Sequence, residues 1–175
     1  MLRSLRFLSL TLSLLVALLA GGCKKETVDS SVDTTTSDAQ KKADDDAIQA
    51  YVSARGLTAT RTASGLYYVV DVAAPPGAPA PVTGSVCTVN YRGYLLNSPP
   101  GSQPFDSSYP RGVPFVLTLG VTNVIAGWTE GLKLMHKGER GRLIIPSHLA
   151  YGPRGSGTIA GNAVLIFYMS LENVQ

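Results

Sequence analysis

Near its start the chain carries an almost wholly apolar run, Phe7 to Ala20, and then few large apolar residues until Ile48. From Asp44 to Gly56 the pattern is helical. Ile48, Tyr51 and Val52 recur at i, i+3 and i+4 and share one face. Aspartates 44–46 open this helix, where its dipole favours acids, and Gly56 is placed to end it. Such a stripe packs either on the main domain or on a second subunit. Five runs rich in β-branched and aromatic residues read as strands: 65–72, 86–96, 114–119, 140–145 and 163–171. The Pro/Gly-rich stretches 73–82, 97–104 and 151–161 read as loops.

One helical piece interrupts the strands. Trp128, Leu132 and Met135 fall at i, i+4 and i+7, and Gly138 is read as the end of the helix. Gly127 and Gly131 weaken it, at roughly 0.5–1 kcal/mol each against alanine. Packing must therefore hold this helix on the sheet, and Gly127 is expected to leave room for a substrate at the indole face. The sum is an α+β fold, an antiparallel sheet wrapped over one short helix.

Charge changes the picture only by exclusion. The net charge is +3 over 175 residues, and Arg3 and Arg6 lie in a segment expected to be removed. With no basic cluster interleaved with aromatics, nucleic acid is not an expected partner. The apolar run of 14 residues is shorter than the roughly 18 or more that a membrane span needs, and it fits the core of an export signal. It ends Leu18-Leu-Ala-Gly-Gly-Cys23, which resembles the lipobox of bacterial lipoproteins. That resemblance implies a signal peptide at 1–22, a lipidated Cys23 and a membrane partnership through the acyl chains. Lys24 after the cysteine implies an envelope protein of the outer membrane. The polar, acidic stretch after it, within 23–43, is expected to be a disordered tether. An extension at 44–83 and a main domain at 84–175 complete the organisation.

The chemistry available is sparse. The two cysteines are Cys23 and Cys87, so a lipidated Cys23 leaves Cys87 unpaired, as a small core residue of a strand. The two histidines, His136 and His148, have no carboxylate or thiol at metal-ligand spacing, and no metal or cofactor is expected. No nucleophile motif or phosphate loop is present. What remains is an aromatic set with glycines beside several of its members, suited to a dry, shaped pocket.

Six ordered blocks then resemble the FKBP-type peptidyl-prolyl cis–trans isomerases. They are Val89-Asn-Tyr-Arg-Gly, Phe105-Asp-Ser-Ser, Val124-Ile-Ala-Gly-Trp-Thr-Glu-Gly-Leu, Met135-His-Lys-Gly-Glu-Arg, Ile145-Pro-Ser-His-Leu-Ala-Tyr-Gly and Ala163-Val-Leu-Ile-Phe. The resemblance implies Trp128 as pocket floor, Tyr91, Phe115 and Phe167 as walls, and Val124 and Ile125 at the rim. It implies that Tyr151 offers its hydroxyl to a substrate carbonyl. Asp106, after Phe105, would hold a polar contact near the twisting amide, steadied by Arg111 and Tyr91. Ile159 would lie in a flap over the site.

The partners implied are proline-containing polypeptides and macrolide inhibitors. The flap reads Ile159-Ala-Gly-Asn-Ala163 where the family commonly has two prolines, which implies a looser flap and weaker macrolide binding. Folding assistance to exported proteins is the leading expectation. A proline-peptide holdase with little turnover is the alternative, and an assembly role for the 44–55 helix is a third.

Overall fold

The computed structural model describes residues 30–175, with side-chain surroundings from residue 37 onward. The signal segment 1–22 and the Cys23 lipidation site lie outside the described residues.

Seven antiparallel strands form one sheet. They are β1 (Thr60–Arg61), β2 (Tyr67–Val72), β3 (Val86–Leu95), β4 (Asp106–Ser107), β5 (Phe115–Thr118), β6 (Arg140–Ile145) and β7 (Leu165–Val174). The order is β1-β2-β6-β7-β3-β4, and β5 pairs with the first half of β3. β4 pairs with the second half of the same strand, at Arg92 and Gly93. β3 therefore collects both elements that flank the segment containing Arg111. The extension at 44–83 joins the main sheet, because β2 pairs with β6 from Arg140 to Ile144.

Alternation along β6 and β7 sorts the core. Leu143, Ile145, Leu165, Phe167 and Met169 face one side, and they pack with Trp128, Leu132 and Met135. Ile144 and Ile166 face the other side, where Ile48 is fully buried with Tyr51 and Val52 against it. The apolar stripe of the N-terminal helix thus covers its own sheet. Of the two packing partners the stripe allowed, the main domain is the one that buries Ile48.

This helix, α1 (Ser30–Ala54), is much longer than its apolar stripe. Residues 30–43, expected as part of a disordered tether, are helical instead. Polar residues hold this part of the helix. Lys41–Asp38 and Lys42–Asp46 pair at i,i+3 and i,i+4, and Gln40 donates to Asp44 at 2.7 Å. Asp44, 2% exposed, accepts from Ser147 through its backbone N–H at 2.8 Å and its hydroxyl at 2.6 Å. Asp45 accepts from Arg61 Nε at 2.7 Å and from the Tyr67 hydroxyl at 2.9 Å. Composition had indicated that this stretch buries too little to fold; docking of its C-terminal half supplies what its own residues lack.

The second helix, α2 (Ala126–Leu132), is shorter than the periodicity implied. Lys133, Leu134 and Met135 follow in tight i→i+3 turns, with amides on Glu130, Gly131 and Leu132. Met135 still reaches the core and is fully buried. Gly127 and Gly131 face the sheet. A Cβ on Gly127 would lie 2.5 Å from Ile145 Cγ2, and one on Gly131 would lie 2.3 Å from Leu143 Cδ1. Gly127 was expected to leave room for a substrate; it admits Ile145 instead. The glycines set the depth at which α2 beds onto β6.

Candidate functional site

The concave face of the sheet and α2 enclose a pocket of about 440 Å³. Trp128 enters from the first turn of α2 and is 5% exposed. Three rings stand edge-on around it: Tyr91 at 4.9 Å, Phe167 at 5.2 Å and Phe115 at 5.9 Å between centroids. Edge-to-face contacts of this kind suit the ring quadrupoles and fix each ring by its neighbours. Phe105 joins them through Phe167, at 5.6 Å and 90°. Gly93 makes that possible, since a Cβ there would lie 2.7 Å from both Phe105 Cζ and Phe167 Cε1.

Sequence reasoning named Tyr91, Phe105, Asp106, Phe115, Val124, Ile125, Trp128, Tyr151, Ile159 and Phe167, and all ten line this one pocket. Arg111 does not line it. It stands behind the wall, where its Nη2 donates to the Tyr91 hydroxyl oxygen at 2.9 Å and its Nη1 to Asp106 Oδ1 at 3.2 Å. The Tyr91 hydroxyl donates in turn to Asp106 Oδ2 at 2.6 Å. Burial first, and then the carboxylate that accepts its proton, push the Tyr91 phenol above its ordinary value. Tyr91 is therefore a neutral donor throughout the physiological range.

The Asp106 strand is sewn to β3. Ser108 Oγ accepts from the Tyr91 amide at 3.0 Å, and Ser107 Oγ donates to the Tyr91 carbonyl at 3.1 Å. Both serines are buried. Sequence reasoning quoted them within a motif and gave them no task, because serine after aspartate also fits an ordinary turn.

Tyr151 sits at the mouth and is more than a third exposed, with no hydrogen-bond partner for its hydroxyl among the described residues. Its turn is anchored from outside the pocket. Ser147 opens that turn on Asp44, and His148 Nε2 lies 2.9 Å from the Ser64 carbonyl. Ser64 Oγ also reaches both Glu130 oxygens, at 2.8 and 2.7 Å, which ties the same loop to α2. Sequence reasoning gave Ser64 and Ser147 no task and read Asp44 as an acid at a helix N-terminus, whereas it lies within α1. Nothing local distinguishes them, since each partner is far away along the chain.

Ile159 closes the pocket from the 151–161 loop. Ser156 and Ile159 exchange backbone hydrogen bonds at 2.9 and 2.8 Å, and the Asn162 amide donates to the Gly152 carbonyl at 2.8 Å. Asn123, Ser156, Gly157 and Thr158 complete the rim and were not foreseen. The pocket lining holds no cysteine, histidine or lysine, and among the described residues no group of three metal-ligating side chains occurs. Its chemistry is an apolar floor with a hydroxyl and a carboxylate at the edge.

Comparison with known proteins follows the same line. The family model for FKBP-type peptidyl-prolyl cis-trans isomerase matches residues 77–172. FK506-binding protein 1 of Saccharomyces cerevisiae is 46% identical over 100 residues, covering 57% of this chain and 84% of its own length. FkpA of Buchnera aphidicola, named as an FKBP-type peptidyl-prolyl cis-trans isomerase, is 40% identical over 116 residues; the match covers 66% of this chain and 43% of that protein. Among solved structures, FkpA from Escherichia coli superposes with a TM-score of 0.61 at 33% identity, covering 83% of this chain and 67% of that one. AtFKBP13 gives 0.59 at 32% identity, covering 67% of this chain and 99% of its own.

Proposed function

This chain belongs to the FKBP-type peptidyl-prolyl cis–trans isomerases, and from that premise we propose that it isomerises X–Pro bonds in exported polypeptides at the cell envelope. The observation that carries the mechanism is the ring of Tyr91, Phe115 and Phe167 around Trp128, with one polar edge. An X–Pro bond rotates slowly because its amide resonance must be broken, against a barrier of about 18–20 kcal/mol. The twisted amide has lost resonance and with it much of its carbonyl dipole. A dry aromatic pocket disfavours the planar, more polar form relative to the twisted one. That difference is what lowers the barrier.

In this reading the proline ring packs on the Trp128 indole. The Tyr151 hydroxyl, at the pocket mouth and unpartnered among the described residues, donates to a substrate carbonyl. Asp106 faces the rotating amide. Its carboxylate is held in place by Tyr91 and Arg111, so it need not reorganise as the bond turns. No proton is transferred and no covalent bond is made. Ile159 excludes water from above.

A protease-coupled assay on a proline tetrapeptide tests this reading. Wild type should accelerate isomerisation well above a Tyr91→Ala, Asp106→Val double variant. Equal rates for the two would overturn the enzyme reading. Aggregation suppression that survives in the double variant would then favour the holdase.

The envelope location rests on the run that ends at Cys23. An acylated Cys23 gains roughly 0.8 kcal/mol per buried CH₂, and several chains on one residue hold stably. Palmitate should label wild type in cells and leave Cys23→Ser unlabelled and released from the membrane fraction. Identical behaviour of the two proteins would remove the anchor from the proposal.

A further inference from the structure

A second groove, of about 370 Å³, lies on the outer face of the sheet between the C-terminal end of α1 and the 97–104 loop. Ile166, Tyr94 and Tyr168 line its floor, with the two tyrosine rings edge to face at 5.8 Å. Tyr51 of α1 forms one wall, and Pro99 and Pro100 form the other.

Two arginines flank these rings. The Arg55 guanidinium lies 3.8 Å over the Tyr51 ring, and that of Arg92 lies 4.1 Å over the Tyr109 ring. Stacking through the flat face orients a guanidinium and leaves its in-plane N–H donors available. Arg61, Arg111 and Arg142 each have a carboxylate partner; among the described residues Arg55 and Arg92 have none. No acidic side chain lines the groove. The two guanidiniums therefore meet no carboxylate within the groove and sit beside exposed aromatic and proline surface.

We infer that this groove binds an extended polypeptide segment that combines proline with a carboxylate. Tyrosine-lined grooves accept proline rings because an extended proline segment is already ordered before it binds. The two guanidiniums match a carboxylate in planar, charge-assisted geometry. The occupant is a client polypeptide because the loop that walls the groove runs directly into Phe105 and Asp106 of the catalytic pocket. A chain held in the groove raises the local concentration of its own X–Pro bonds at that pocket. The identity of the client rests on the isomerase reading; binding in the groove does not require turnover.

The test is fluorescence anisotropy on the full chain, with a labelled Ala-Glu-Pro-Pro-Glu-Ala peptide and its Gln-for-Glu counterpart. Wild type should bind the acidic probe, more weakly as salt rises. An R55A/R92A double variant should lose about tenfold or more in affinity. It should isomerise a neutral tetrapeptide at the wild-type rate, which also reports an intact fold. Equal affinity for the two probes, or for wild type and the double variant, overturns the proposal. Loss of binding in the Tyr91→Ala, Asp106→Val variant overturns it too, by placing the peptide in the catalytic pocket. So does anionic phospholipid vesicle binding that depends on the same arginines and displaces the peptide. If arginine-dependent binding persists in a wild type that does not isomerise, the groove stands and the isomerase reading falls.

Discussion

The Tyr91 hydroxyl donates to Asp106 Oδ2 at 2.6 Å, and the hydroxyl oxygen itself accepts from Arg111 Nη2 at 2.9 Å. One phenol thus links a ring of the aromatic cage to the carboxylate at its edge. Tyr91→Phe keeps the ring and removes the link. It should lower kcat/KM by about tenfold, the value of one hydrogen bond to a charged group, and change unfolding free energy by under about 1 kcal/mol. Asp106→Val should cost more activity, because it removes the carboxylate at the pocket edge, which is the acceptor of both Tyr91 and Arg111 Nη1. Coupled proteolysis assays beside urea titrations separate the two effects.

Asp44 is a buried carboxylate that holds two donors of Ser147. Asp44→Ala leaves the Ser147 amide without a partner and detaches α1 from the turn that leads to Tyr151. Stability should fall by about 2–3 kcal/mol, and activity should fall with it through a misplaced Tyr151. Asp44→Asn retains an acceptor and should recover part of both. Thermal denaturation and tetrapeptide kinetics on the three proteins check this; unchanged kinetics in Asp44→Ala would dissociate the helix from the site.

Gly127→Ala adds a methyl where Ile145 already sits. Helix propensity alone predicts a gain of about 1 kcal/mol. Overpacking should reverse the sign and leave a net loss of about 1–3 kcal/mol. The double change Gly127→Ala, Ile145→Ala should lose less than the sum of its parts, measured by chemical denaturation.

Glu139 is buried beneath His136, and burial pushes its carboxyl above the ordinary 4.5, while the His136 amide opposes this. The folded state then holds that proton more tightly than the unfolded chain. Its contribution to stability is present in full below about pH 4.5 and declines as pH rises through the folded value. Glu139→Gln should therefore match wild type in acid and become the more stable protein above that window. Melting temperatures across pH measure the difference; a gap that opens in the opposite direction would refute this reading of Glu139.

The strands were legible because β-branched and aromatic residues cluster in them; that Leu143, Ile144 and Ile145 face opposite sides in turn, as do Leu165, Ile166 and Phe167, appears only in the fold, since all six are apolar. The pocket residues were legible through their motifs, and the fold brings them to one cavity. What could not be read was long-range or directional. Asp44 and Ser147 are 103 positions apart, and Ser64 and Glu130 are 66 apart, so no local pattern signals either pair. The helical part of the tether was missed for the same reason. Gly127 was noticed and given the wrong neighbour, because a glycine in sequence marks a close approach without saying from which side.

The flap carries one more consequence. At its tip this chain has Ala160 and Gly161, and Gly161 lies so close to the neighbouring backbone that a Cβ there would sit 2.1 Å from the Pro153 carbonyl oxygen. A Cβ on Gly155 would meet the Ile159 carbonyl oxygen at 2.3 Å. Proline has a Cβ, so it cannot occupy position 161 while Pro153 stays where it is. The tip and the base of the loop are thus sterically coupled: any side chain at 161 would require Pro153 to move first.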